Sequence, residues 1–153
     1  MELKIKRTNS ANKDFIELVK ELDAYLAITD GDDHDFYDQY NKLDTIKYVI
    51  VVYKDQEALG CGAIKRFDDN AIEIKRVYTK PERRGKGIAK KIMQELEAWA
   101  KELNFERCIL ETGERQVEAV RFYDKIGYKR MENYGQYVGV ENSLCFEKYL
   151  NEL

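Results

Sequence analysis

Val77-Tyr78-Thr79-Lys80-Pro81-Glu82-Arg83-Arg84-Gly85-Lys86-Gly87-Ile88-Ala89 is the stretch on which the fold turns. A strand ends near Thr79, Pro81 turns the chain, and two glycines lead into a helix. The helix follows from a change of period after Gly87: Ile88, Ile92, Leu96, Trp99 and Leu103 form one stripe, and Lys90, Lys91, Glu95, Glu97 and Lys101 occupy much of the other surface. A helix N-terminus offers unpaired N–H groups and a partial positive charge, and glycines let an anion reach the backbone. Ala89 is small and keeps the first turn open. From Lys80 to Lys91 six bases face one acid, a local charge of +5, so the loop suits a polyphosphate. The plain alternative is a turn before a surface helix, with bases for solubility. A P-loop is excluded because no glycine is followed by Lys and then Ser or Thr in GxxxxGK spacing; a GxGxxG fingerprint would need glycine where Lys90 stands.

Outward from this loop the elements alternate. Leu3 to Arg7 suits a short strand, and Asn12 to Ala27 places Phe15, Leu18, Val19, Leu22 and Leu26 at helical spacing. Phe36, Tyr37, Tyr40 and Leu43 predict a second short helix. Tyr48 to Tyr53 is β-branched and aromatic, a buried strand; Leu59 to Phe67 and Ala71 to Thr79 follow as a hairpin over Asp68-Asp69-Asn70. Beyond the glycine loop come a strand over Arg107 to Thr112, a helix over Gln116 to Lys125 ended by Gly127, and closing strands over Tyr128 to Met131 and Ser143 to Tyr149. The order is β-α-α-β-β-β-α-β-α-β-β. Three consecutive strands followed by alternation predict an α/β (α+β) fold with a mixed sheet, not a doubly wound nucleotide fold.

The chain of 153 residues is expected to form one domain, residues 1–153. With 36% charged residues and no apolar run longer than Tyr48 to Tyr53, a membrane span is excluded. Met1 to Lys6 lacks a secretory hydrophobic stretch, so a cytoplasmic protein is expected. Cys61, Cys108 and Cys145 are too widely spaced for a metal knuckle, and with His34 as the only histidine no metal site is expected; the thiols read as buried and inert. Net charge is −3 and the bases are not interleaved with aromatics, so no nucleic-acid partner is expected. The acidic counterpart of the loop is Thr29 to Asp44, with a local charge of −5.

The glycine loop resembles the pyrophosphate loop of the GNAT superfamily of acetyl-CoA-dependent N-acetyltransferases, Arg/Gln-x-x-Gly-x-Gly/Ala, here Arg84-x-x-Gly87-x-Ala89. A second family element, Asn-x-x-Ala-x-x-Phe-Tyr-x-x-x-Gly-Phe, is matched downstream by Gln116-x-x-Ala119-x-x-Phe122-Tyr123-x-x-x-Gly127-Tyr128, with glutamine in place of asparagine. The two motifs and the element order cover nearly the whole chain. The resemblance implies a mainly antiparallel sheet flanked by about four helices and acetyl-CoA as cosubstrate. It implies that the main chain of Val77 and Thr79 holds the pantetheine arm in the manner of an added strand. Arg84, Gly85, Lys86, Gly87, Ile88 and Ala89 would cradle the pyrophosphate, and Gln116 would stand at a cofactor contact. It further implies direct attack of a neutral amine on the thioester.

Tyr123 falls on the family position of the acid that protonates the departing thiolate; the free phenol titrates at about 10, near a thiol. Glu73 is the first candidate for the base, directly or through water, and Glu111 at the end of the next strand competes with it. Glu73 alternates with Ile72 and Ile74, which also fits a solvent-facing strand residue. His34 could act as a base or sit on the acceptor, though a histidine among aspartates is more often a surface residue. The family's acceptor site implies walls from the acidic stretch, with His34, Tyr37 and Tyr40, and from Asn133-Tyr134-Gly135-Gln136-Tyr137. Carboxylates there favour a cationic amine, whereas Arg76 or Lys65 could bind a substrate carboxylate. The expected activity is acetyl transfer to the primary amine of a small molecule, an amino acid or polyamine-like compound. A protein or peptide amine, and a CoA-binding module without turnover, stand as the alternatives, and a homodimer stays open.

Overall fold

The computed structural model describes residues 2–30 and 46–152. The second short helix expected around Tyr37 and Tyr40 lies outside them, as do His34 and Tyr37 themselves. The elements are β1 (Lys4–Thr8), α1 (Lys13–Asp30), β2 (Tyr48–Lys54), β3 (Glu57–Arg66), β4 (Ala71–Thr79), α2 (Ile88–Glu102), β5 (Arg107–Gly113), α3 (Val117–Lys125), β6 (Lys129–Met131) and β7 (Ser143–Tyr149). One seven-stranded sheet runs in the order β1-β2-β3-β4-β5-β7-β6. Every pairing is antiparallel except β4 with β5.

Both faces of the sheet centre are covered, which is why β2 reads as an unbroken apolar run. Ile50 and Val52 face a core with Ile72, Ile74, Ile92 and Leu96, whereas Val49 and Val51 face Phe15, Leu18 and Val19 of α1. Asn12 caps α1, its Oδ1 accepting from the Phe15 N–H at 3.0 Å. The α2 helix packs against β3 because Gly62 has no side chain: a Cβ there would lie 2.7 Å from Ile92 Cγ2 and 2.8 Å from Leu96 Cδ1. The α3 helix ends as Gly127 implies, the Tyr128 N–H bonding the Tyr123 carbonyl at 3.0 Å and the Gly127 N–H that of Asp124 at 3.2 Å. The hairpin at Asp68 is held by its carboxylate, which accepts from the N–H groups of Asn70 at 2.9 Å and Ala71 at 2.8 Å.

One residue departs from the expected surface of α2. Glu97 is 3% exposed, accepts from the Tyr128 hydroxyl at 2.7 Å and pairs with Lys148 Nζ at 3.2 Å. A helical wheel places it outside, but β7 brings Lys148 beneath the helix and makes the buried carboxylate tolerable.

The feature that makes a site is a break in β4. Cys61 opposes Tyr78 and Ala63 opposes Lys75, so Gly62 faces the two residues Arg76 and Val77. Arg76 is the inserted residue and has φ +60°, a left-handed conformation that costs a branched or bulky L-residue about 1–3 kcal/mol. The bulge bends β4 away from β5. Their parallel pairing covers Ala71, Ile72 and Glu73 only, and a V-shaped cleft opens beyond them.

Candidate functional site

Three adjoining depressions form one groove along the diverging strands. The innermost, about 130 Å³, lies between Glu73 to Val77 on β4 and Leu110 to Gly113 on β5, with Tyr123 at its side. A middle one of about 180 Å³ shares Val77, Gln116, Ala119 and Tyr123 with it. The outermost, about 750 Å³, opens over the start of α2 and shares Thr79, Arg84, Ala89 and Phe122 with the middle one. The glycine loop, the strand edge and the candidate acid and bases, separate in sequence, thus meet along one channel.

At the outer end α2 begins without a side-chain cap, unlike α1: Gly87 occupies the capping position with φ +78°. The first-turn N–H groups of α2 are therefore free to meet an anion. A Cβ built at Gly85 or Gly87 meets nothing within 4 Å, so the space above these amides is open to a ligand and would be invaded by any side chain. Ile88 is 1% exposed and anchors α2 in the core, leaving its backbone to the loop. Ala89 lines both outer depressions, while Lys86 is exposed. The Arg84 side chain is tied back: Nε donates to the Thr79 carbonyl at 3.1 Å, and its guanidinium lies 5.3 Å from the Tyr25 ring centre and 5.9 Å from that of Tyr78. These contacts fasten the turn to α1 and β4, and Arg84 still lines the outer and middle depressions.

Along the middle, β4 carries no β5 pairing past Glu73, so on that side the main chain from Ile74 to Thr79 faces the groove. Val77 and Thr79 line it. Gln116 sits at the start of α3, makes no side-chain cap bond and faces the inner and middle depressions.

At the inner end the two carboxylates occupy different surroundings. Glu73 is 9% exposed, not solvent-facing: its Oε2 accepts from the Tyr134 hydroxyl at 2.7 Å, and Lys75 Nζ lies 3.9 Å from Oε1. The Tyr134 ring is wedged against Phe67 and Tyr137, and burial, then the Glu73 charge, push its hydroxyl far above the usual tyrosine range. Tyr134, expected as a substrate wall, is thus placed behind Glu73. Tyr137 lines the cleft, its hydroxyl likewise pushed up, by burial and then by Glu111 and Glu73. Glu111 lines the opposite wall, on β5. Tyr123 reaches the cleft from α3, and burial, with Glu111 second, pushes its phenol up to about 12.

Sequence reasoning did not single out the aromatic support behind Glu73, nor the α1 residues Leu22, Leu26 and Tyr25 that roof the groove. The helical stripe already contains Leu22 and Leu26, but only the bulge shows that β4 turns its surface toward them. The three thiols are buried; burial pushes Cys61 and Cys108 up to about 12 and Cys145 to about 11. No cluster of metal-ligating side chains occurs among the described residues, and none of their helices is long and apolar enough to cross a membrane.

A bulged, splayed β4/β5 pair opening onto an uncapped, glycine-led helix defines the class. The chain belongs to the Acetyltransferase (GNAT) family, whose profile matches residues 14–128. It is 32% identical over 100 residues to an uncharacterized N-acetyltransferase, YsnE, of Bacillus subtilis, a match covering 64% of this chain and 66% of that protein. It is 27% identical over 137 residues to an IAA acetyltransferase of Azospirillum brasilense, covering 88% of this chain and 90% of that one. In structure it is similar to a Klebsiella pneumoniae protein described as an acyl-CoA N-acyltransferase, with a TM-score of 0.81 and 28% identity over 97% of each chain. A GNAT family acetyltransferase from Elizabethkingia anophelis, solved with acetyl-CoA bound, shares the fold at a TM-score of 0.70 and 14% identity, over 96% of this chain and 97% of that one.

Proposed function

We propose that this acyltransferase moves the acetyl group of acetyl-CoA to the primary amine of a small molecule, by direct attack of the amine on the thioester. The observation that carries the reading is the continuity of the groove from the free amides at the start of α2, along the unpaired side of β4, to Glu73 and Tyr123. The amides from Gly85 to Ala89 would hold the pyrophosphate, Val77 and Thr79 the pantetheine arm, and Gln116 would flank it. Acetyl-CoA, when bound, supplies an activated acetyl group.

The chain's own residues then have three tasks. The cleft of about 130 Å³ takes the acceptor head and aligns its nitrogen, which replaces a bimolecular encounter by a positioned one. Glu73 takes a proton from the acceptor ammonium, directly or through water, while the Tyr134 O–H holds one carboxylate oxygen and orients the other. Tyr123 gives its proton to the departing thiolate as the carbon–sulfur bond breaks and the carbon–nitrogen bond forms, and the second proton shed by the nitrogen as the amide forms returns through water to the Tyr123 oxygen. Its phenol stays protonated throughout the neutral range and is ready as a donor. The volume of the inner cleft favours a small acceptor over a folded protein surface.

Amine-dependent release of CoA thiol, followed with a chromogenic disulfide across amines, amino acids and peptides, tests the reading. Saturable release with a small amine supports it. Tight CoA binding without release by any member leaves a CoA-binding module, and release with peptides alone moves the acceptor to a protein amine.

A further inference from the structure

Arg76 is the bulge residue, and its side chain is 2% exposed. Among the described residues only Nη1 is engaged, donating to Asp23 of α1 at 3.0 Å; Nε and Nη2 are buried and have no hydrogen-bond partner among those residues. These two atoms are neighbours on one edge of the guanidinium, the edge that meets both oxygens of a carboxylate in parallel. A buried cation with two unmet donors is unfavourable, and such groups are rare where nothing binds them. The strained φ of +60° at the same residue is a second, independent departure from what folding alone would select. Arg76 also lines the inner cleft together with Lys75, Glu73 and Glu111, so one small chamber carries both cationic and anionic groups, with Lys75 Nζ 3.9 Å from Glu73 Oε1. That dipolar lining matches a molecule carrying an ammonium and a carboxylate a few atoms apart.

Resting on the proposed amine transfer at this cleft, we infer that the acceptor is a carboxylate-bearing amine of amino-acid size, and that the Nε and Nη2 edge of Arg76 selects it by pairing with that carboxylate. The acceptor nitrogen lies toward Glu73, and because both nitrogens of the edge are buried in the unliganded protein, the carboxylate meets them by displacing the side chains packed over the edge; exclusion of bulk water then strengthens the pair. Lys65, the other cation of the sequence reading, is exposed on β3 and does not line the cleft. A diamine would bring a second ammonium against Arg76 and is disfavoured by the same geometry. Asp23, whose side chain is 40% exposed, keeps the guanidinium in place from the solvent side without occupying the selecting edge.

The test uses matched pairs: small amino acids, and the amines left when their carboxylate is removed. Each is measured by thiol release with acetyl-CoA and, independently of turnover, by calorimetry on the CoA-loaded protein. The carboxylate-bearing member is expected to be preferred by roughly 10²-fold, the scale of one bidentate charged contact. Arg76→Lys keeps a cation beside Asp23 but loses the fork, and should bring the preference down by about tenfold or more. Arg76→Asn removes the charge with a residue that tolerates φ above zero, and should bring the pair within about threefold. Equal or better use of the decarboxylated amine by the unmodified protein overturns the inference while leaving amine transfer standing, and needs no variant to fold. Arg76-dependent binding of the carboxylate-bearing member without any acetylation overturns the proposed transfer and supports the inference. Binding of neither member, or a preference untouched in folded Arg76→Lys, overturns the inference.

Discussion

Replacing Gly87 by alanine separates the role of the loop as a phosphate cradle from its role in the fold. Gly87 has φ +78°, a conformation that costs an L-residue about 1–2 kcal/mol. The added Cβ meets no protein atom within 4 Å, so no packing penalty joins that cost. For a chain of this size a loss of about 1 kcal/mol lowers Tm by roughly 2–4 °C, so the variant should melt a few degrees lower and fold normally. The same Cβ projects into the space over the first turn of α2, where a phosphate oxygen would sit. Displacing one charge-assisted hydrogen bond forfeits about 1.5–3 kcal/mol, or roughly 10- to 10²-fold in affinity. Calorimetry with CoA reads that loss directly. Acetyl-pantetheine, which has no pyrophosphate, serves as the control donor: its kcat/KM should change far less than that of acetyl-CoA. Unchanged CoA affinity in a folded Gly87→Ala protein, or equal loss with both donors, would refute the cradle.

Tyr123→Phe should lower kcat by roughly 10²- to 10⁴-fold with modest change in KM for acetyl-CoA; a fall below tenfold in steady-state kinetics assigns Tyr123 to packing. Because its phenol is pushed up to about 12 and acts while protonated, kcat should show no alkaline loss from this group until pH exceeds about 10. Tyr134→Phe removes the hydroxyl that holds one oxygen of Glu73, so kcat should fall with little change in KM for acetyl-CoA; unchanged kinetics in the folded variant separate Tyr134 from the base. Gly62→Ala places a Cβ against Ile92 and Leu96 and should cost about 1–3 kcal/mol in urea unfolding. Lys148→Met leaves Glu97, 3% exposed, with the Tyr128 hydroxyl as its one remaining hydrogen-bond partner among the described residues, and should destabilise by about 3–5 kcal/mol; adding Glu97→Gln should restore part of it.

The parts of this molecule that were legible in the sequence are those governed by local pattern. The stripe from Ile88 to Leu103, the hairpin at Asp68 and the helix stop at Gly127 each follow from periodicity or turn chemistry, and the observed elements agree with them to within a few residues. The glycine loop was legible because an uncapped helix start, glycine and clustered bases are all local. What pattern does not carry is pairing across the sheet. The bulge at Arg76 arises where Gly62 on the neighbouring strand faces two residues, and no local feature marks an arginine as left-handed. The burial of Glu97 depends on Lys148, about fifty positions away in the chain, and that of Glu73 on Tyr134 from a loop beyond β6. Both glutamates alternate with apolar residues in a way that equally describes a surface.

The most direct test of the donor path is an experimental structure with CoA bound. The account predicts the pyrophosphate on the backbone amides between Gly85 and Ala89, the pantetheine arm beside the main chain of Val77 and Thr79, and the sulfur next to the Tyr123 hydroxyl at the mouth of the inner cleft. A sulfur lying away from Tyr123 and the β4/β5 divergence, or a pyrophosphate held by side chains of the outer depression without the loop amides, would contradict it.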